Sequence, residues 1–296
     1  MYNFLVELLR FVDLKPLLLA QKKSNPNPSF EIPAKVLLTG KVLQFVSRDA
    51  ATEFVARLFA SPMKFNAPER ELMMRESAKK ERIVLPSNGK ELQVYKYGYS
   101  KTRILLVHGW AGRGTQLYPL ADKILENTMM VVSFDAPAHG ISDGKRTNML
   151  EFIEAIRLIE KKYGPFDAAV GHSFGGMSLI NAVAGGLKVN KLVTLGADNS
   201  IPEIFSYYVN KMELKPDIAR RLKRRFEKKY NLRLDHFTSE HQAERIKIPV
   251  LVIHDSEDRF VPVSSAVAIR QKLQNGELLI THGLGHHKIF KSPVVV

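Results

Sequence analysis

Residues 167–176 read Asp167-Ala168-Ala169-Val170-Gly171-His172-Ser173-Phe174-Gly175-Gly176, an apolar strand-like run that meets a helix-like run at a serine flanked by glycines. Downstream, Met177 to Val183 carries apolar residues at helical spacing. A strand that turns this abruptly into a helix forces the serine into a strained backbone conformation, and side chains at 171 and 175 would clash there. The hydroxyl of Ser173 then stands proud of the sheet as a candidate nucleophile. The backbone N–H of Phe174, at the helix N-terminus, points to where an oxyanion would form.

Three further stretches have the same strand-then-loop form. Ile104 to Val107 is apolar and runs into His108-Gly109-Trp110-Ala111-Gly112, a turn that can bring the N–H of Trp110 to the other side of the oxyanion. His108 precedes the serine at a strand end and is read as structural, holding its loop by hydrogen bonds to the backbone. Val250 to Ile253 leads into His254-Asp255-Ser256-Glu257-Asp258-Arg259-Phe260-Val261-Pro262, an acidic turn before a proline that can open a helix. A carboxylate is needed to fix a catalytic imidazole in one tautomer. Asp255, Glu257 and Asp258 compete for that task, and at least two of them must belong to a solvated or helix-capping turn. Last, Leu278 to Thr281 ends in His282-Gly283-Leu284-Gly285-His286-His287-Lys288, a glycine-rich loop able to carry an imidazole over the sheet edge.

The order serine, acid, histidine is the chain order of α/β-hydrolases, and the four motifs fall on successive strand ends. Residues from about 82 to 296 resemble that superfamily. The resemblance implies that Ser173 in GHSFGG is the nucleophile and His286 in GLGHHK is the base. Asp258, in the pattern H-D-x-x-D-x-x-V-P, would be the acid, with Asp198 in reserve after the preceding strand. The main-chain N–H groups of Trp110 and Phe174 would form the oxyanion hole. Asp135-Ala136-Pro137-Ala138-His139-Gly140-Ile141-Ser142 resembles the family's D-x-x-G-H-G-x-S turn, with alanine where glycine is usual, and Asp135 and His139 are read as structural. HGWAGRGTQ, FDAPAHG, GHSFGG and GLGHHKI together resemble a set of bacterial hydrolases grouped by fold, which gives no substrate.

The remaining sequence fits one large domain with an appendage. The chain has 296 residues, 45% of them hydrophobic, and no cysteine, which excludes disulfides, thiolate metal sites and a cysteine nucleophile. No His/Asp/Glu group has metal-ligand spacing, and no cofactor is expected. The expected fold is a doubly wound, mostly parallel eight-stranded sheet over 81–296, with strands at 82–86, 91–97, 103–108, 129–134, 167–171, 191–196, 249–254 and 277–281. An N-terminal helical extension occupies 1–80, including helical stretches at Lys35–Ala60 and Glu69–Lys80. Residues 21–34 are proline-rich and read as a linker.

Met1 to Pro16 is apolar but broken by charge every few residues, too short and interrupted for a membrane span or a secretory signal. A cytoplasmic location is expected. Residues 1–20 form a helix packed on its own domain or an anchor lying on a membrane.

Residues from about 199 to 247 replace one crossover helix, and the resemblance makes them a small helical lid. Within this insertion Ile218, Leu222, Phe226 and Tyr230 form one apolar stripe, flanked by basic residues. Lys211 to Arg233 holds ten basic and three acidic residues, half of the chain's net +14. That charge suits a solvated face that steers anionic substrates, or contact with an anionic membrane. No nucleic-acid-binding signature accompanies it. The function expected is a serine hydrolase cleaving a carboxylic ester or thioester through an acyl-enzyme. The alternative is a non-catalytic small-molecule or lipid-binding protein of the same fold.

Overall fold

The parallel strands are short apolar runs, such as Ile104-Leu105-Leu106-Val107, that need cover on both faces. In the computed structural model, which describes residues 32–296, they receive it from helices on either side. The stretch 1–20 and nearly all of the proline-rich run after it lie outside the described residues. Helices α1 (Ala34–Val46), α2 (Arg48–Phe59) and α3 (Glu69–Ser77) come first. Then follow β1 (Lys79–Val84), β2 (Glu91–Tyr97), β3 (Arg103–Val107), α4 (Tyr118–Glu126), β4 (Met130–Phe134) and α5 (Met149–Tyr163). The chain continues through β5 (Ala168–His172), α6 (Phe174–Ala184), β6 (Leu192–Leu195), α7 (Ile201–Lys211), α8 (Asp217–Tyr230) and α9 (Ser239–Ala243). It ends with β7 (Val250–Asp255), α10 (Val263–Lys272), β8 (Gly276–Thr281) and α11 (Gly285–Lys288).

The eight strands lie in the order β1-β2-β4-β3-β5-β6-β7-β8. The β1–β2 and β2–β4 pairs are antiparallel, and every other pair is parallel. The first hairpin turns at Ser87-Asn88-Gly89, where Gly89 takes a positive φ of 73°. Met74, Leu117, Ile289 and Phe290 pack with Ile104, Leu106, Val131, Val170, Leu195 and Ile253 as one core layer. Helices α5, α6, α9 and α10 pack side by side over the opposite face. Three expected boundaries shift. The helical stretch Lys35–Ala60 divides at Ser47, which is extended and caps α2 by accepting from the N–H of Ala50. The polar helix from Glu69 stops at Ser77 because Ala78 is extended, and β1 begins at Lys79 rather than at 82.

The described residues form two compact units that are not contiguous in sequence. One joins the chain through Met63 to Ile201–Leu234; the other holds Lys64–Ser200 and Asp235–Val296. In the first, the insertion's helices pack with α2: Asp217 pairs with Arg48, Arg221 with Asp49 and Arg225 with Glu53. The stripe expected on α8 is turned inward there, with Ile218 and Leu222 fully buried and Phe226 5.2 Å from Phe205 between ring centres. Helix α3, inside the expected extension of 1–80, is grouped apart from that first unit. It belongs to the sheet-bearing unit, where the buried Glu71 accepts from the Arg113 guanidinium at 2.6 and 2.8 Å and from Thr115 at 3.0 Å.

Candidate active site

The candidate site residues follow the ends of β3, β5, β7 and β8, and in open α/β sheets ligands bind at the carboxyl ends of the strands. Ser173 sits between β5 and α6 with φ 54° and ψ −123°, a backbone state that costs a non-glycine residue about 1–3 kcal/mol. Crowding enforces the flanking glycines. A Cβ on Gly175 would stand 2.4 Å from the carbonyl oxygens of Val107 and His108, and one on Gly171 2.7 Å from the Gly176 backbone. The strand-to-helix turn and the end of β3 are therefore in backbone contact.

His286, on α11, brings the motifs together. Its Nε2 is 2.9 Å from Ser173 Oγ and its Nδ1 is 2.6 Å from Asp258 Oδ2. A carboxylate only accepts, so Nδ1–H donates to Asp258 and the Nε2 lone pair faces the serine hydroxyl. Asp258 Oδ1 accepts from the N–H groups of Phe260 and Val261 at 2.8 and 3.0 Å. Burial opposes ionisation of this carboxyl, but the His286 and backbone donors outweigh it and hold its pKa below the ordinary range. Gly196, after β6, leaves room for the pair: with φ 56°, a Cβ there would lie 3.3 Å from His286 Nδ1 and 3.4 Å from Asp258 Oδ2.

Asp255, three residues away from Asp258, is committed elsewhere. It accepts from Thr281 Oγ1 and from the N–H groups of Leu284, Gly285 and Glu257, fixing the loop that carries His286. Burial would raise its pKa, yet those donors lower it. Asp198 accepts from the N–H of Asn199 at 2.7 Å. Glu257 and His287 are exposed.

The turn after β3 is held by two buried histidines. His108 donates from Nδ1 to the carbonyl of Gly109 at 2.7 Å and accepts at Nε2 from Ala136 N–H at 3.0 Å. His139 donates to the carbonyl of Pro137 and accepts from Ala111 N–H at 3.0 Å. Burial lowers the pKa of His108 to about 4 and that of His139 well below its ordinary value, so both stay neutral. Asp135 accepts from the N–H groups of Gly114 and Ile141 and from the Tyr95 hydroxyl. Gly109 runs so close to the serine that a Cβ on it would lie 3.0 Å from Ser173 Cβ. This contact brings the Gly109–Trp110 segment beside Ser173, while the Trp110 ring packs against Phe174 and His139.

Sequence reasoning missed Glu71, Gly196 and His172. Glu71 lies in a short helix of mostly polar sequence, and no local signal shows that it is buried. A glycine directly after the apolar run of β6 was the available hint for that position. His172 is the variable position of the serine motif, and its contacts lie more than a hundred residues away.

Among the described residues no group of three or more His, Cys, Asp or Glu side chains could hold a metal ion, and no helix is long and apolar enough to cross a membrane. The family model "Alpha/beta hydrolase family" matches residues 104–295. Among solved structures, Est1E from Butyrivibrio proteoclasticus, with ferulic acid bound, is 21% identical, with a TM-score of 0.54 over 69% of this chain and 90% of that one. The esterase RhEst1 from Rhodococcus sp. ECU1013 is 15% identical, with a TM-score of 0.52 over 74% and 94%. A membrane phospholipase A, described as a bacterial virulence factor, is 17% identical, with a TM-score of 0.58 over 88% and 94%. At these identities the likeness is one of fold. No curated protein matches the chain in sequence. The family match covers well over half of the chain and includes the serine, the acid and the histidine just described: the chain belongs to the alpha/beta hydrolase family.

Proposed function

We propose that the protein is a serine hydrolase that cleaves carboxylic esters or thioesters through an acyl-enzyme. The observation that carries this reading is the single imidazole of His286 bridging Ser173 Oγ and Asp258 Oδ2. Ser173 Oγ attacks the acyl carbon while His286 Nε2 takes its proton, and Asp258 holds the ring and stabilises the imidazolium. The tetrahedral oxyanion lies against the N–H groups of Trp110 and Phe174, each contributing about 3 to 4 kcal/mol to the transition state. The C–O or C–S bond then breaks and His286 returns the proton to the departing alcohol or thiol. Water adds to the acyl-enzyme with His286 as base, releasing the acid and restoring Ser173. No step calls on a cofactor.

The solved relatives include an esterase and a phospholipase by name, which supports an acyl ester as the substrate class. The test is a fluorophosphonate probe followed by peptide mass mapping. The expected result is one adduct per chain, on Ser173, and loss of labelling in His286→Ala with labelling kept in His287→Ala. Silence towards several such probes in the folded wild-type protein would instead favour a ligand-binding protein on this fold.

A further inference from the structure

A buried imidazole beside the triad takes no part in the proton transfers above. His172, the residue before Ser173, is only 3% exposed, and its Nε2 lies 2.8 Å from the carbonyl oxygen of His286. A carbonyl oxygen can only accept, so Nε2 carries the proton. Burial first, and the neighbouring His286 second, hold the His172 pKa well below its ordinary value, so the ring is neutral. The ring packs at 4.8 Å from both His286 and Phe290, between ring centres, which fixes its orientation. His108 and His139 each donate to a carbonyl of their own loop and accept from an N–H of the other's, whereas His172 spends its one donor on the segment that carries the base.

We infer that His172 is a positioning residue, which sets the Ser173–His286 distance by tying the backbone of His286 to the residue preceding the nucleophile. This inference rests on the hydrolase reading. Ser173 and His286 are 113 positions apart, on segments that are not hydrogen-bonded to each other as neighbouring strands. Their 2.9 Å contact depends on where two backbones stand, and the His172–His286 bond is a direct link between those backbones. Being neutral, the link adds no positive charge beside His286 when that ring becomes an imidazolium.

The experiment compares His172→Phe, which keeps a ring without a donor, with His172→Gln, which returns an amide N–H at about the same reach. For a chromogenic ester, His172→Phe should lose about 10- to 100-fold in kcat with KM little changed, the size of effect that follows from about 1 Å of misplacement. His172→Gln should recover most of that loss. The rate of Ser173 phosphonylation should fall and recover in parallel, whatever the Tm of each variant. Equal kcat in the two variants, or a loss that tracks Tm, would overturn the inference. Nitrogen-15 spectra of the wild-type imidazoles give a readout independent of the variants: His172 must be the neutral Nε2–H tautomer at pH 7, and an Nδ1–H or doubly protonated ring would also overturn it. If wild-type Ser173 is not phosphonylated at all, the hydrolase reading fails, and the tautomer still decides whether His172 makes this bond.

Discussion

At the scale of single residues, the backbone of Ser173 records a conflict between folding and position. Its φ of 54° is a state that glycine adopts without penalty, so Ser173→Gly should be more stable than Ser173→Ala by about 1–2 kcal/mol in urea denaturation, although both lack the hydroxyl. Equal stabilities would mean that the turn stores no strain. The two aspartates of the acidic turn separate by partner, Asp258 facing His286 and Asp255 the loop that carries it. Asp258→Asn should lower kcat by roughly 10⁴-fold, because an amide admits the wrong tautomer of His286. Asp255→Asn should act mainly through the loop it holds, with a much smaller loss in kcat and a lower Tm. Steady-state kinetics on the two purified variants distinguishes them. Ser173 and His286 were legible in the sequence because glycines and strand ends mark them. Asp258 was legible only through the resemblance of the H-D-x-x-D-x-x-V-P pattern, since Asp255 and Asp258 share one turn and spacing alone does not decide which carboxylate meets the imidazole.

At the scale of elements, α8 divides its charge between two tasks. Arg221 and Arg225 pair with Asp49 and Glu53 on α2, so part of the basic cluster holds helices together. Arg220, Arg224 and Lys228, also spaced by four, are exposed on a different line of the helix. Changing these three to glutamate should leave Tm within a few degrees of wild type. If this row steers anionic substrates, the change should lower kcat/KM for an anionic ester relative to a neutral one of equal chain length. The wild-type preference should fade as salt rises, since exposed charges are screened over about 10 Å at 0.1 M. An unchanged ratio in the variant would reduce the row to a solvated face. The helical period and apolar stripe of α8 were legible from spacing alone. The partner of that stripe was not, because α2 lies some 170 residues earlier in the chain. Ser47, followed by Asp49 in the first turn of α2, was a readable capping signal that explains the break between α1 and α2.

At the scale of the whole molecule, the strand sequence was legible from alternating apolar runs and turn residues, but the grouping of Ile201–Leu234 with the chain through Met63 was not, since no local pattern encodes it. Stability should depend on pH through the buried imidazoles. His108 has a folded pKa of about 4 against an ordinary 6.5, and His139 and His172 are lowered as well. The unfolded chain therefore binds more protons between those values. The stability these groups contribute is complete above pH 6.5 and is lost as pH falls towards 4, with His108 alone accounting for something on the order of 3 kcal/mol. The lowered carboxyls of Asp255 and Asp258 lose their contribution only at lower pH, below their ordinary 3.8. Urea midpoints should fall steadily from pH 6.5 to 4.5, and a flat profile would contradict neutral burial of the three rings. Whether Ser173 is the nucleophile of an ester hydrolase is decided by hydrolysis of p-nitrophenyl esters from C2 to C16 by wild type and Ser173→Ala at matched concentration. Wild type should turn over at least one ester, and a folded Ser173→Ala variant should lose at least about 1,000-fold in rate; an unchanged rate in that variant would remove Ser173 from the role of nucleophile.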